Sequence, residues 1–489
     1  MAKRRRPPES RTIYQWQRRS PSMLILNDQG ASARVSAEAF GITGRDRSWN
    51  SYAQNFLSAN GAQLRALGAR AALVPDADQI HMCLKPGGTV GAVPLRSATT
   101  RKIVGGLVIR PRFGWNDIGP LLQEIGWTAS PQLLEFPLVP GAAREVPPWV
   151  LAGPILERFR TLIRELTRGF SLHEEVRQTL RGQVAWHRYV NEHVSHGAYH
   201  QLPCRFPELG PDVKLRAMLR WGLEVVHRSL SSWAVVDSIA RHLAEQAREL
   251  LMLLTDVKPL MPGKSQMGHL LRTTGLPPVA LQRGLQALGW LVDERGLAGT
   301  TETDGLAWCL PMHELFERWV EHLARLWAHG FGGHVRSRRT YETLIPIRWQ
   351  RSTVQSLHSL VPDIIVQQGR RVWIIDAKYK GHFEELDDVR WKELAEELQA
   401  EHRHDLHQVL AYAATADADE VTSVLVYPMF LPTWQRLVET NRTFTAATIA
   451  VGGRVLRLVL TGVPVQMPSA NSVSEVVASW DALAVRDTA

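Results

Sequence analysis

The sequence is poor in cysteine and in long apolar runs, and each shortage excludes a class of protein. Its 489 residues include three cysteines, at positions 83, 204 and 309. That number excludes a disulfide-stabilised scaffold and a four-cysteine zinc or iron–sulfur site. No apolar run reaches the roughly 20 residues of a membrane-spanning helix, and the basic start at residues 1–6 lacks the apolar stretch of a signal peptide. We therefore expect a cytoplasmic protein with no membrane partner.

Lysine is also scarce, which makes its few positions informative. The formal net charge is +9, and only nine of the 57 basic residues are lysines. An arginine excess favours contact with DNA phosphates, and a biased composition is the alternative. Against this background, Lys378 stands out because it follows the apolar run at 372–375.

Residues 361–378 predict a β-hairpin that carries two carboxylates and an ammonium group. Two apolar runs flank a polar turn around Gly369. Asp363 begins the first strand, whereas Asp376 and Lys378 end the second and share a face, because residues two apart on a strand point the same way. A hairpin can bring Asp363 beside them. Such a set can hold Mg²⁺ and a water next to a phosphodiester; a surface Asp–Lys pair is the simpler alternative.

Helices are predicted on both sides of this hairpin. Residues 312–327 carry apolar side chains at helical spacing, and Glu317 lies on a neighbouring stripe of glutamates. Residues 389–415 predict a second long helix, on which Gln408 and Tyr412 are four apart and therefore share a face. A further apolar strand is predicted directly after this helix.

The order helix, strand, strand, helix, strand, with carboxylates at the strand ends, resembles the core of the PD-(D/E)xK nucleases. The motifs that carry this resemblance are Pro-Asp at 362–363, Asp-Ala-Lys at 376–378 and Gln-x-x-x-Tyr at 408–412. A narrower resemblance is to McrC, the nuclease subunit of modification-dependent restriction systems. It adds Met-x-x-Leu-Phe-Glu at 312–317 and Asp-Ala-Lys-Tyr-Lys at 376–380, with looser similarity at 104–114, 180–184 and 203–212.

The resemblance implies a metal-dependent endodeoxyribonuclease. Asp363 and Asp376 would bind Mg²⁺ (or Mn²⁺) together with the backbone carbonyl of Ala377 and, directly or through water, with Glu317. Lys378 would hold or polarise the attacking water. The remaining expected catalytic and DNA-contacting positions in this region are Gln408, Tyr412 and Lys380.

The resemblance also implies partners. They are double-stranded DNA, an AAA+ GTPase or ATPase of the McrB type, and a second copy of the chain for cutting both strands. The sequence has no phosphate loop of its own, because the first glycine of Gly-x-x-x-x-Gly-Lys-Ser would fall on Lys258. Two alternatives stay open: a standalone or differently partnered defence or transposon nuclease, and a non-catalytic DNA-binding scaffold.

The expected fold is an α+β multidomain protein with a β-rich N-terminal region, a helical middle region and a C-terminal α/β PD-(D/E)xK core of the restriction-endonuclease type. In chain order, the expected segments are a basic disordered tail at 1–20, a partner-docking domain at 21–147, the helical region at 148–300, the nuclease domain at 301–440, and C-terminal strands with a tail at 441–489.

A winged helix is one interpretation of residues 265–300. Two short helices joined by a Gly-Leu-Pro turn would be followed by a wing, with Gln282 and Arg283 on the helix that reads DNA. The alternative is an ordinary helical hairpin.

Overall fold

A computed structural model of the protein describes most of the chain and divides it into two compact units. The described residues are 22–35, 49–76, 79–129, 131–134, 136–137, 139, 147, 149–166, 169–210, 213–263, 266–267, 278–292, 307–349, 358–380, 396–451, 454–466 and 470–484. One unit combines residues 1–146 with 304–489, and the other is residues 147–303. The predicted tail at 1–20 lies outside the described residues.

A mixed sheet of six described strands forms the centre of the larger unit. In spatial order the strands are His334–Ser337, Ile364–Gln368, Arg371–Ala377, Glu420–Met429, Arg454–Pro464 and Phe444–Val451. Three neighbouring strands, which start at Arg371, Glu420 and Arg454, are parallel to one another. The other strand pairs of the sheet are antiparallel. Because parallel neighbours need a crossover, a helix connects Arg371–Ala377 to Glu420–Met429.

The predicted hairpin is confirmed, and its register positions the two aspartates. Gly369 takes a φ of 58°, the left-handed conformation that a tight turn requires and that glycine adopts without steric cost. Ile364 pairs with Ile375 at the open end of the hairpin. Asp363 is the residue before this pair and Asp376 is the residue after it, so both lie at the same end of the sheet.

Two long helices cover opposite faces of this sheet. Met312–Gly330 packs against the face of Trp373, whose ring centroid lies 5.3 Å from that of Trp327. Glu396–Ala414 packs against the face of Ile374. Shorter helices of the same unit are Leu431–Glu439, Ala470–Ser479 and Asp481–Ala484, and a small two-stranded sheet pairs Ile345–Pro346 with Ser359–Leu360. The sequence-predicted start of the Gln408 helix, at 389–395, is outside the described residues.

The N-terminal part of the larger unit is β-rich, as expected. One sheet has the strand order Ser22–Asn27, Ile103–Arg110, Thr89–Arg96, Trp308–Pro311 and Gln132–Leu133, and a smaller sheet has the order Ala33–Val35, Gln79–Lys85 and Arg70–Asp76. Helices Trp49–Ala66 and Trp115–Glu124 complete this part. Strand Trp308–Pro311 leads directly into the helix that begins at Met312, so this sheet is joined to the core that carries the hairpin.

The smaller unit combines helices with a β-hairpin. Its long helices are Trp149–Glu165, Val213–Ser231, Ser238–Met252 and Pro278–Val292. Its strands, in spatial order, are Gly169–Arg177, Leu202–Gly210 and Gln183–Val184. These strands were not predicted, and the region was expected to be helical, because neighbouring charged side chains such as Glu174 and Glu175 hide the two-residue period of a strand.

Only one element of the proposed winged helix can be assessed. Pro278–Val292 is a helix, with Gln282 and Arg283 exposed. Residues 268–277 and 293–300, which would supply the preceding helix and the wing, lie outside the described residues. Across the described part of the chain, no helix is both long and apolar enough to cross a membrane.

Candidate functional site

Asp363 and Asp376 meet where the two hairpin strands end. Asp376 is fully buried and Asp363 is 8% exposed. The backbone N–H of Ala377 donates to Asp363 Oδ2 over 3.0 Å, which ties the first aspartate to the strand that carries the second. Ala377 itself is buried, as its alternation with Asp376 and Lys378 predicts.

Lys378 links the carboxylates to the neighbouring helix. Its Nζ lies 2.5 Å from Asp376 Oδ2 and donates to Gln408 Oε1 over 2.9 Å. Gln408 Nε2 in turn donates to the Tyr412 hydroxyl over 2.7 Å. The structure thus joins Asp376, Lys378, Gln408 and Tyr412 in one polar chain that runs from the strand end to the neighbouring helix.

Asp376 is an unusual carboxylate. The Lys378 ammonium contacts Oδ2, and among the described residues the buried Oδ1 accepts no hydrogen bond. A buried carboxylate oxygen without a hydrogen-bond donor is costly. One ammonium group therefore serves two neighbouring buried carboxylates, Asp376 and Asp363, and a bound cation would supply further positive charge.

The electrostatics of the site agree with this geometry. Burial, reinforced by Asp363, raises the pKa of Asp376 to about 7. Burial and the nearby Glu317 raise the pKa of Asp363 to about 6. Burial alone would lower the pKa of Lys378, but the surrounding carboxylates outweigh it and raise that pKa. The ammonium group therefore offsets only part of the repulsion between the carboxylates.

Glu317 faces the same site from the Met312–Gly330 helix. It is half-buried, and burial raises its pKa, an effect that Arg338 opposes and Asp376 reinforces. The next glutamate on the helix has a different environment. Glu321 accepts hydrogen bonds from Arg325 and Arg339 over 2.7 and 2.8 Å, so its charge is already compensated within the protein.

The donor set fits a small hard cation. Asp363 and Asp376 supply carboxylate oxygens, and Ala377 a backbone carbonyl, on adjacent strands. Within the described residues, no three His, Cys, Asp or Glu side chains are grouped closely enough to hold a metal by themselves. Mg²⁺ does not require such a cage, because it is commonly bound by one or two carboxylates together with waters and substrate phosphates.

The three residues predicted to contact DNA, Lys380, Gln282 and Arg283, are not part of this polar chain. Lys380 does not point into solvent, because its Nζ lies 3.0 Å from both oxygens of the buried Asp405. Its expected DNA contact therefore competes with an internal ion pair. Gln282 and Arg283 belong to the unit of residues 147–303 and not to the unit that holds the aspartates.

Sequence reasoning missed the anchor of Tyr379, the residue that follows Lys378. Its buried hydroxyl donates to Asp28 Oδ2 over 2.6 Å, although the two residues are 351 positions apart. The Arg112 guanidinium stacks on the Tyr379 ring at 4.9 Å. The N-terminal sheet thus holds the chain immediately after the candidate catalytic lysine.

We expect Tyr379→Phe to lower the free energy of unfolding by about 1.5–3 kcal/mol, because it removes a hydrogen bond to a buried charged acceptor. Urea unfolding of the full chain measures the change. Tyr341→Phe is the matched control, since Tyr341 is 80% exposed and its hydroxyl should contribute less than about 0.5 kcal/mol. Equal stabilities for the two variants would contradict the role of Tyr379 as an anchor.

Comparison with known proteins gives a family match. Residues 149–428, more than half of the chain, match the family described as McrBC 5-methylcytosine restriction system component. No curated protein matches the chain.

Two similar solved structures come from Thermococcus gammatolerans. One is a refined half-complex from a tetradecameric assembly of McrB AAA+ hexamers with bound McrC (14% identity, TM-score 0.43, covering 94% of this chain and 100% of that chain). The other is a cryo-EM structure of the McrBC complex (13% identity, TM-score 0.27, covering 63% of this chain and 88% of that chain). The family match covers most of the sequence, and the chain therefore belongs to the McrBC family of 5-methylcytosine restriction system components.

Proposed function

We propose that this chain is the Mg²⁺-dependent endodeoxyribonuclease subunit of a McrBC-like, modification-dependent antiviral restriction system, with a catalytic core of the PD-(D/E)xK type. The observation that carries the proposal is the pair of buried aspartates beside Lys378, at the end of two neighbouring strands. Asp376 supports it most strongly, because its carboxylate is fully buried next to a second carboxylate and its pKa is raised to about 7 in spite of the Lys378 ammonium.

Each residue of the site has a chemical role in this proposal. Asp363, Asp376 and the Ala377 carbonyl would hold Mg²⁺ or Mn²⁺, with Glu317 adding negative charge directly or through water. The bound ion would lower the pKa of a water and offset charge on the phosphate. Lys378 orients the attacking water and stabilises the charge that develops on the phosphate oxygens. Gln408 fixes the ammonium through its Oε1, and Tyr412 holds the Gln408 amide.

We also propose that an AAA+ NTPase controls this site and that it contacts the unit of residues 147–303, in addition to the docking domain expected at 21–147. The hairpin at residues 169–210, including the segment that connects its two long strands, exposes several large apolar side chains. Contact of such side chains with water is unfavourable, and a cluster of them can mark a protein interface. The exposed side chains are Leu180 (67% exposed), Trp186 (66%), Val190 (52%) and Tyr199 (65%). Exposed tryptophan and tyrosine are the residue types that dominate protein–protein binding energy.

The direct test is cleavage of DNA that carries 5-methylcytosine, with the AAA+ partner and nucleotide present. We expect strand breaks in Mg²⁺ and none in EDTA. Cleavage without the partner would favour a standalone nuclease. Binding of DNA without any cleavage in Mg²⁺ would make the chain a DNA-binding scaffold and would refute the proposal.

The raised pKa values predict a pH dependence of metal binding. Since the carboxylates must be ionised to bind the cation, Mg²⁺ affinity should rise about tenfold or more between about pH 5.5 and pH 8. Folded Asp376 holds its proton up to about pH 7, whereas an unfolded aspartate loses it near pH 4. The metal-free protein should therefore become less stable as pH rises from about 4 to about 7.

Calorimetric titration with Mg²⁺ and thermal melts at the two pH values measure both effects. Asp376→Asn is the matched control, because it removes the titrating group and should flatten the pH dependence of stability. A metal affinity that does not change with pH would contradict the assignment of these carboxylates as ligands.

A further inference from the structure

A short turn of residues 338–341 lies against the strand end that carries Asp363. The Arg338 N–H donates to the Asp363 carbonyl over 2.9 Å, and the Tyr341 N–H donates to the Arg338 carbonyl over 3.0 Å. Beyond the turn, the Thr343 hydroxyl donates to the Pro362 carbonyl over 2.6 Å. These bonds fix the turn beside the candidate catalytic aspartate, so its side chains border the site.

Arg338 is placed between the site and solvent. Its Nη1 lies 3.5 Å from Asp363 Oδ1, but its side chain is still 56% exposed. The adjacent Arg339 differs, because it donates to the buried Glu321 over 2.8 Å. An exposed guanidinium whose ion pair with Asp363 is as long as 3.5 Å can accept a phosphate group while it still faces the site, and its planar fork suits phosphate oxygens.

Tyr341 is the most unusual residue of the turn. It takes a φ of 59°, which costs a tyrosine more than an asparagine or glycine, and its side chain is 80% exposed. Asn441 takes almost the same conformation (φ 56°) with a residue type that tolerates it. The Tyr341 ring adds little to the core of its own unit, so an external contact is the better explanation for it.

The charge of the surrounding segment indicates the chemistry of that contact. Residues 334–349 include four arginines and one glutamate, and Arg348 is exposed together with Arg338. Positive charge combined with an exposed aromatic ring fits a nucleic-acid strand, whose phosphates pair with arginine and whose bases stack on rings.

We propose that the turn of residues 338–341 binds one DNA strand at the catalytic site, with Arg338 on a phosphate and Tyr341 stacked against a base. This inference rests on the proposed nuclease function and extends it, since it assigns the surface that places the strand next to Asp363. The contact requires no metal, and binding can therefore be measured separately from cleavage.

Fluorescence anisotropy of a labelled single-stranded oligodeoxynucleotide in EDTA, with the duplex of the same sequence in parallel, tests the proposal. Tyr341→Ala should weaken binding of the single strand about tenfold and leave its salt dependence unchanged. Arg338→Ala should weaken binding of both forms and lower the slope of log affinity against log salt by about 0.7–0.9. Tyr341→Phe should restore binding, whereas Tyr341→Asn should not, although asparagine suits the backbone better.

Arg370→Ala is the matched control. Arg370 is exposed at the opposite end of the same hairpin and pairs with Asp419, so its loss should leave binding of the oligonucleotides unchanged. All variants should melt within a few degrees of the wild type, because the substituted side chains are exposed.

Three other results would contradict this inference, and they can be told apart. If the wild type cuts DNA and the Arg338 and Tyr341 variants bind it normally, this inference is wrong and the proposed function stands. If those variants bind DNA normally but lose the AAA+ partner, the turn is a protein contact and the inference is also wrong. If the wild type neither binds nor cuts DNA, the proposed function fails together with it.

Discussion

Asp376→Asn is expected to lower the rate of DNA cleavage by about three orders of magnitude, because it removes a metal-binding charge from the reacting centre. The fold should survive. Burial already raises the pKa of Asp376 to about 7, so an isosteric neutral side chain relieves a cost to the metal-free protein. Lys378→Ala should abolish cleavage in the same way. Partner-dependent cleavage assays combined with thermal melts measure both effects.

Asp419→Asn is the matched control for this prediction. Asp419 is an exposed aspartate at the other end of the same sheet, where it pairs with Arg370. We expect wild-type cleavage from it. Normal cleavage by Asp376→Asn would remove the site assignment, and equal loss in both variants would point to a general effect on the sheet.

The second large effect concerns the partner. Replacing both Trp186 and Tyr199 with alanine should reduce partner-stimulated cleavage by about thirtyfold or more, because a single aromatic hot spot contributes about 2 kcal/mol or more at an interface. Metal binding should not change, since the hairpin belongs to the other unit. Pull-down of the AAA+ partner and cleavage in the presence of nucleotide measure the loss.

Val235→Ala controls for this double variant. Val235 is 82% exposed in the same unit but lies outside the hairpin. We expect its variant to respond to the partner normally. Full stimulation of the Trp186 and Tyr199 double variant would place the partner contact elsewhere on the chain.

The parts of the site that were predictable from sequence are local. The alternation of residues 372–378 and the turn at Gly369 fix which side chains share a face, and the structure has that hairpin. The four-residue spacing of Gln408 and Tyr412 likewise predicts their shared helix face, which their hydrogen bond confirms. Such patterns need no knowledge of distant chain segments.

The parts that were missed depend on distant contacts. No sequence pattern near Tyr379 predicts its hydrogen bond to Asp28. No pattern predicts that strand Trp308–Pro311 pairs with strand Thr89–Arg96. A fragment that begins near residue 300 would lose both contacts, so a loss of partner-stimulated cleavage in it could come from misfolding. Substitutions on the surface of the full chain therefore test the partner contact more cleanly.

Locating a divalent cation tests the central claim most directly. Crystals of the full chain soaked in Mn²⁺ should show an anomalous scattering peak that contacts carboxylate oxygens of Asp363 and Asp376 at about 2.0–2.2 Å, and Asp363→Asn should lose it. An active enzyme that cuts DNA in Mn²⁺, with no peak between these two aspartates at saturating metal, would contradict the account.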